Sequence, residues 1–150
     1  MPTGTLDPQQ LISDECSDIH FDQKVPSVII VPKKWRGQKE YIPLELLPLF
    51  KDIKTQIPET EIKAKQLSYS EFRSVDVDFP LLVISTTVLP IVLNIIANYV
   101  YDNYIKKKAR SIEPPRFRMR YIEINKTGLK ALEIEGTPDE FHKELLRLLK

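Results

Sequence analysis

An α+β fold, a two-layer sandwich with a four-stranded mixed or antiparallel sheet and helices on one face, is predicted by three features of this 150-residue sequence. Two alternating segments near the C-terminus are joined by a glycine-containing turn. A short β-branched run, SVIIV, stands between two prolines, and three other stretches repeat apolar residues at helical spacing. The expected order is β-α-β-α-β-β-α. A chain this long can bury about two thirds of its unfolded surface in one core. With 42% hydrophobic and 29% charged residues and a net charge of +1, the composition excludes disordered, collagen-like and disulfide-scaffold classes. Residues 1–24 are expected to be an irregular acidic arm and residues 25–150 a single α+β domain.

The arm carries Asp7, Asp14, Glu15, Asp18 and Asp22 before the first basic residue, Lys24, and shows no sustained period. Ser27–Val31, bracketed by Pro26 and Pro32, predicts a buried strand. A polar turn, KKWRGQKE, leads into YIPLELLPLFKDIKTQIP, where Leu46, Leu47, Phe50 and Ile53 predict a helix with Pro43 in its first turn, shortened or kinked at Pro48. Thr60–Leu67 alternates Ile62 and Ala64 against Glu61, Lys63 and Lys65, a half-buried strand pattern, and the polar connector SYSEFRSVDVD follows.

Phe79–Tyr101 contains no charge and is then followed by Asp102 and a basic run. Its length would suit a bilayer-spanning helix. However, Ser85, Thr86 and Thr87 form a polar triplet, Pro90 follows, and Thr87, Asn94, Asn98 and Asp102 fall near one helix face, which lipid penalises. The stretch is expected to be a core helix, or a short strand and then a helix from about Thr87, with Leu93, Ile96 and Val100 inward. Membrane association through residues 79–101 is the alternative.

Arg116–Asn125 and Leu129–Glu135 predict a hairpin closed by a three-residue loop, Lys126-Thr127-Gly128, with Asn125 opposite Leu129 and glycine supplying a positive φ. Thr137-Pro138-Asp139-Glu140 has the form of a capping box with proline at the first helical position. Phe141, Leu145, Leu148 and Leu149 give the closing helix its buried stripe.

Few residues offer chemistry. Cys16, the sole cysteine, and His20 are four apart, but an irregular arm cannot hold a nucleophile and its base in place. A lone cysteine and no visible signal peptide predict a cytoplasmic protein. Asp76 and Asp78 alternate as a cation-binding pair would, without a third oxygen donor at a recognisable interval. Tyr99, Tyr101 and Tyr104 point in different directions on a helix, which suits packing better than base stacking. His142 suits a solvated or capping role. No catalytic, cofactor or metal site is therefore expected. The one asymmetry is charge: between Lys106 and Arg120 stand seven basic residues, Lys106, Lys107, Lys108, Arg110, Arg116, Arg118 and Arg120, against one acid, Glu113. This segment is the candidate contact for a polyanion, an anionic membrane or an acidic protein segment, the chain's own arm included. Lysines ending a helix also complement its dipole without any partner.

A long apolar helix ending in basic residues, a strand RMRYIEIN, a tight turn, a strand LKALEIEG and then TPDEFHKELLRLL together resemble the small effector-associated constant component proteins of bacterial conflict systems, over roughly residues 60–150. The resemblance implies a non-enzymatic adaptor or accessory component without a cofactor, whose partner is a protein rather than nucleic acid. The acidic arm, Pro90, Asn94 and Asn98 depart from that pattern.

Overall fold

The structure, a computed structural model, describes residues 3–15, 19, 26–35, 39–63, 67–70, 76–106 and 115–150. The uncharged run is two elements rather than one helix. Leu81–Ser85 is a strand, a turn at Thr86–Val88 follows, and Leu89–Val100 is a helix that runs into a π-helical turn at Tyr101–Ile105. Pro90 falls in that helix's first turn, where its missing N–H costs nothing. Leu93, Ile96 and Val100 are buried while Asn94 and Asn98 are exposed, as the polar stripe requires. No helix among the described residues is long and apolar enough to cross a membrane, a statement that does not extend to strands.

In chain order the elements are β1 (Thr3–Leu6), α1 (Pro8–Glu15), β2 (Val28–Val31), β3 (Lys33–Trp35), β4 (Lys39–Pro43), α2 (Leu47–Gln56), β5 (Glu61–Ile62), β6 (Leu67–Ser70), β7 (Val77–Asp78), β8 (Leu81–Ser85), α3 (Leu89–Val100), β9 (Phe117–Asn125), β10 (Gly128–Gly136) and α4 (Pro138–Leu148). The class is α+β, but the sheet is mixed and has seven strands, not four. Its order is β1-β10-β9-β8-β2-β5, with β7 also paired to β9. A second sheet has the order β3-β4-β6. The element order therefore departs from β-α-β-α-β-β-α. The polar turn holds β3 and β4, and the polar connector holds β6 and β7. Pro43 ends β4 ahead of a 3₁₀ turn at Leu44–Leu46, and it is Pro48 that sits in the first turn of α2. Residues 3–15 of the arm, expected to be irregular, form β1 and α1.

Strands β2 and β8 run antiparallel, and β8 runs parallel to β9 through the α3 crossover. β7 and β8 lie along the same edge of β9. Asp78 is opposite Arg118 and Leu82 opposite Tyr121, so one extra residue bulges out at Phe79-Pro80, where proline has no N–H for the ladder.

One face of the sheet, with Val28, Ile30, Leu82, Ile84, Phe117, Met119 and Tyr121, packs under α2, α3 and α4. Phe141 of α4 lies 5.2 Å from Phe117 and 5.9 Å from Phe79 between ring centres, and such pairs contribute about 0.5–1.5 kcal/mol each beyond burial. The opposite face, with Ile29, Val31, Leu81, Val83, Ile122 and Ala131, is covered by Leu11 of α1 and by Ile19. Helices thus flank both faces, where only one was expected.

The hairpin loop has two residues, Lys126 and Thr127. Gly128 pairs with Asn125, and the register is shifted by one from the expected Asn125–Leu129 pairing. The Asn125 Oδ1 accepts from the Thr127 amide at 2.9 Å and from its hydroxyl at 2.7 Å, an Asx turn that tightens the loop. Gly128 has φ +146°, which disfavours any side chain there. At α4 the Thr137 Oγ1 accepts from the Glu140 amide at 3.3 Å, and the Thr137 amide donates to Glu140 Oε1 at 3.0 Å, completing the capping box.

Thr137→Ala is expected to cost about 1 kcal/mol, roughly 2–4 °C in a thermal melt, and Gly128→Val more. Parent-like melts for both variants would contradict these assignments. Hydrogen bonds from the Thr137 backbone and side chain hold the Glu140 carboxyl below the usual carboxylate range. Its contribution is therefore present above the unfolded-state pKa and lost as pH falls through the lower folded value. Melting temperatures of the parent and Glu140→Gln should differ at neutral pH and converge in acid.

Candidate functional site

Because β9 alternates, Phe117, Met119 and Tyr121 face the core under α3 and α4, while Arg116, Arg118 and Arg120 project from the other face. The two-residue turn places Glu135 directly opposite Arg118 and Glu133 opposite Arg120. The arginines reach diagonally: Arg118 Nε donates to Glu133 Oε1 at 2.7 Å, and Arg116 Nε stands 3.9 Å from Glu135 Oε1. The Arg116 amide donates to Asp76 Oδ1 at 3.2 Å. Arg118 also approaches Asp78 at 4.0 Å, and Asp78 pairs with Lys33 of β3. Arg120, whose side chain is only 12% exposed, grips Glu15 of α1 through both terminal nitrogens.

The face is therefore a ladder of opposite charges closed at one end by the arm. The hydrogen bond from Arg118 to Glu133 raises the pKa of that guanidinium further. Burial, and then the charge of Asp78, pushes the Tyr41 phenol above its ordinary value. Asp14, Glu15, Pro32, Lys33, Tyr41 and Arg120 line a recess of about 260 Å³ beside the ladder. Among the described residues, Arg120 Nε at this recess and Asp78 Oδ1, on the acid that pairs with Lys33, are buried without a hydrogen-bond partner.

Of the basic residues singled out in the sequence, Arg116, Arg118 and Arg120 come together in this ladder, each committed to an acid of the same chain. Lys106 lies apart, exposed at the end of the π turn, where its amide donates to the Tyr101 carbonyl at 2.8 Å. Lys107, Lys108 and Arg110 lie outside the described residues, as do Cys16 and His20. Asp76 and Asp78 serve cationic or amide partners, and among the described residues no group of three or more His, Cys, Asp or Glu could hold a metal ion. The Tyr99 and Tyr104 rings meet edge to face at 6.1 Å, Tyr104 packs on Phe117 at 4.7 Å, and Tyr101 lies against His142 at 5.8 Å. The acidic arm was a candidate partner of the basic segment, and Glu15 of α1 meets Arg120, whereas Lys33 and Asp78 were not readable as partners, since the sheets bring them together from distant parts of the chain. Glu133 and Glu135 were readable, because their alternation mirrors that of the arginines once the turn has two residues.

A second feature lies at the β5 edge of the sheet. Ile30, Leu47, Phe50, Thr60 and Ile62 line an open, largely apolar groove of about 640 Å³ between α2 and β5, with Lys51, Lys54 and Glu61 at its rim. Lys54 Nζ donates to the carbonyls of Pro58 and Thr60 at 2.8 and 2.7 Å, tying the α2–β5 loop to the helix. Ile62 was expected to be the half-buried residue of an alternating strand. It is 38% exposed instead, because β5 is two residues long and ends the sheet.

No family model, curated protein or solved structure matches this chain. Function has to be read from the chain's own surfaces.

If the ladder is the reason the arginines are quiet, releasing them should be visible. The parent should leave a heparin column at low salt, and Glu133→Gln/Glu135→Gln should require more salt, with a steeper dependence on ionic strength. Equal elution of the two would mean that the arginines are not neutralised by these glutamates.

Proposed function

We propose that the chain is a non-enzymatic interaction module, an adaptor or accessory component that works in the cytoplasm of a bacterium as part of a defence or signalling system. The groove at the β5 edge carries this reading. It combines an apolar floor, an exposed isoleucine and a strand, β5, that pairs only with β2 among the described residues and so offers an edge for strand addition by a partner segment. Open apolar surface of this kind on a folded chain marks an interaction site more often than a packing accident. The resemblance of residues 60–150 to effector-associated constant components supplies the setting, and their partners are proteins. The membrane-anchored alternative loses its spanning helix, since residues 79–101 divide between β8 and α3. The polyanion alternative is weakened by the pairing of Arg116, Arg118 and Arg120 within the chain.

Co-expression with the products of neighbouring genes tests the proposal. The expected result is a stoichiometric complex by light scattering that Ile62→Glu dissolves; because Ile62 is exposed, the variant should melt within a degree or two of the parent. A complex indifferent to this substitution, or none with any neighbour, counts against the groove as the working surface.

A further inference from the structure

In the N-terminal arm β1 extends the sheet beside β10 while α1 covers one of its faces, yet that helix is badly suited to standing alone. Eight residues fall short of the roughly 12–15 that an isolated helix needs in water. Asp14 and Glu15 occupy its last turn, where the helix dipole disfavours negative charge, and no basic residue in that turn offsets them. The offset comes from across the sheet, from Arg120. Asp7 caps the other end, accepting from the Gln9 amide at 3.0 Å. Leu11, one helical turn before Glu15, is the one buried residue of α1. At this junction Arg120 Nε is buried without a hydrogen-bond partner among the described residues, so the fit of the arm is incomplete. Beneath it lies an apolar floor, Ile29, Val31, Leu81, Val83, Ile122 and Ala131, bordered by Arg120 and by Lys33, which pairs with Asp78.

We propose that this floor is a docking surface for an acidic amphipathic segment of a partner protein, and that α1 holds the place in the free chain and yields it on binding. The inference rests on the adaptor reading and names the chemistry of the partner. The arm itself is the template: a leucine and a glutamate four residues apart share one helix face, the leucine over the floor and the glutamate on Arg120. Charge complementarity fixes the sign, since Arg120, once Glu15 leaves it, selects an acidic segment and rejects a basic one. A tethered arm acts at an effective concentration on the order of millimolar, so the parent should bind such segments weakly until its own arm is weakened.

The test uses the full chain and a fluorescein-labelled synthetic peptide of residues 3–22, read by anisotropy. Leu11→Ala/Glu15→Gln, which loosens the resident arm and leaves it uncharged at position 15, should bind the peptide about tenfold or more tightly than the parent does. Adding Arg120→Glu to that chain should abolish binding, and a peptide carrying Glu15→Arg should restore it, which also shows that the variant is folded. Should Arg120→Glu fail to fold, Arg120→Gln should still weaken binding and flatten its salt dependence. Equal affinity for the parent and the loosened chain, or no recovery with the charge-swapped peptide, overturns the proposal. A parent that dimerises by exchanging arms makes a second copy the occupant and overturns it as well. None of these results bears on the Ile62→Glu experiment, because the groove at β5 shares no residue with this floor.

Discussion

A strand whose successive side chains are apolar has to be covered on both faces, and two such runs, β2 and the first four residues of β8, lie side by side inside the sheet. All four residues of β2 and the first four of β8 are buried, so neither face can be left to water. Three helices supply one cover and the N-terminal arm supplies the other. Burying a leucine or isoleucine side chain contributes about 1.5–3 kcal/mol. Leu11 and Ile19 therefore gain at most a few kcal/mol between them, against the entropy of ordering the arm. The second cover is the weaker one, which follows from its being built, among the described residues, of a single short helix and Ile19.

The same demand relaxes along β9 and β10 beyond Ile122 and Ala131, where α1 ends on Arg120. There the sheet keeps an apolar inner face but turns its outer face over to Arg116, Arg118, Arg120, Glu133 and Glu135. Exposed ion pairs of this kind are worth little individually, about 0–1 kcal/mol. Their effect is on register and solubility: a one-residue slip would carry the charges into the core, and the row keeps an uncovered sheet face from sticking. Arg120 stands at the boundary between the two regimes, closing the charge ladder on one side and capping the electronegative end of α1 on the other.

What could be read from sequence was what is decided locally. The capping box at Thr137, the positive φ at Gly128 and the inward set Leu93, Ile96 and Val100 each depend on neighbours within a few residues. Strands β1, β3, β4, β6 and β7 have two to five residues and little apolar alternation. They exist because a partner strand fixes them, and no window of sequence contains that partner. The uncharged run was ambiguous for a related reason: a strand covered on both faces and a helix buried on one leave the same apolar residue types in sequence. Exposed Ile62 could not be anticipated either, since alternation identifies a strand but not whether it ends the sheet.

The turn at Lys126-Thr127 shows how a small geometric fact reaches function. With a three-residue loop, Glu133 would stand opposite Tyr121, and the arginines of β9 would appear as a row of uncompensated cations suited to a polyanion. With two residues, Glu133 stands opposite Arg120 and Glu135 opposite Arg118, and every charge of that row has an acid within reach of its own hairpin or arm. Counting seven basic residues between Lys106 and Arg120 thus overstates the positive charge offered to a partner, because strand pairing commits three of them to acids of the same chain. Among those three, Arg120 is the residue whose partner lies on a segment able to leave, and only there can the ladder's charge become available without unfolding the sheet.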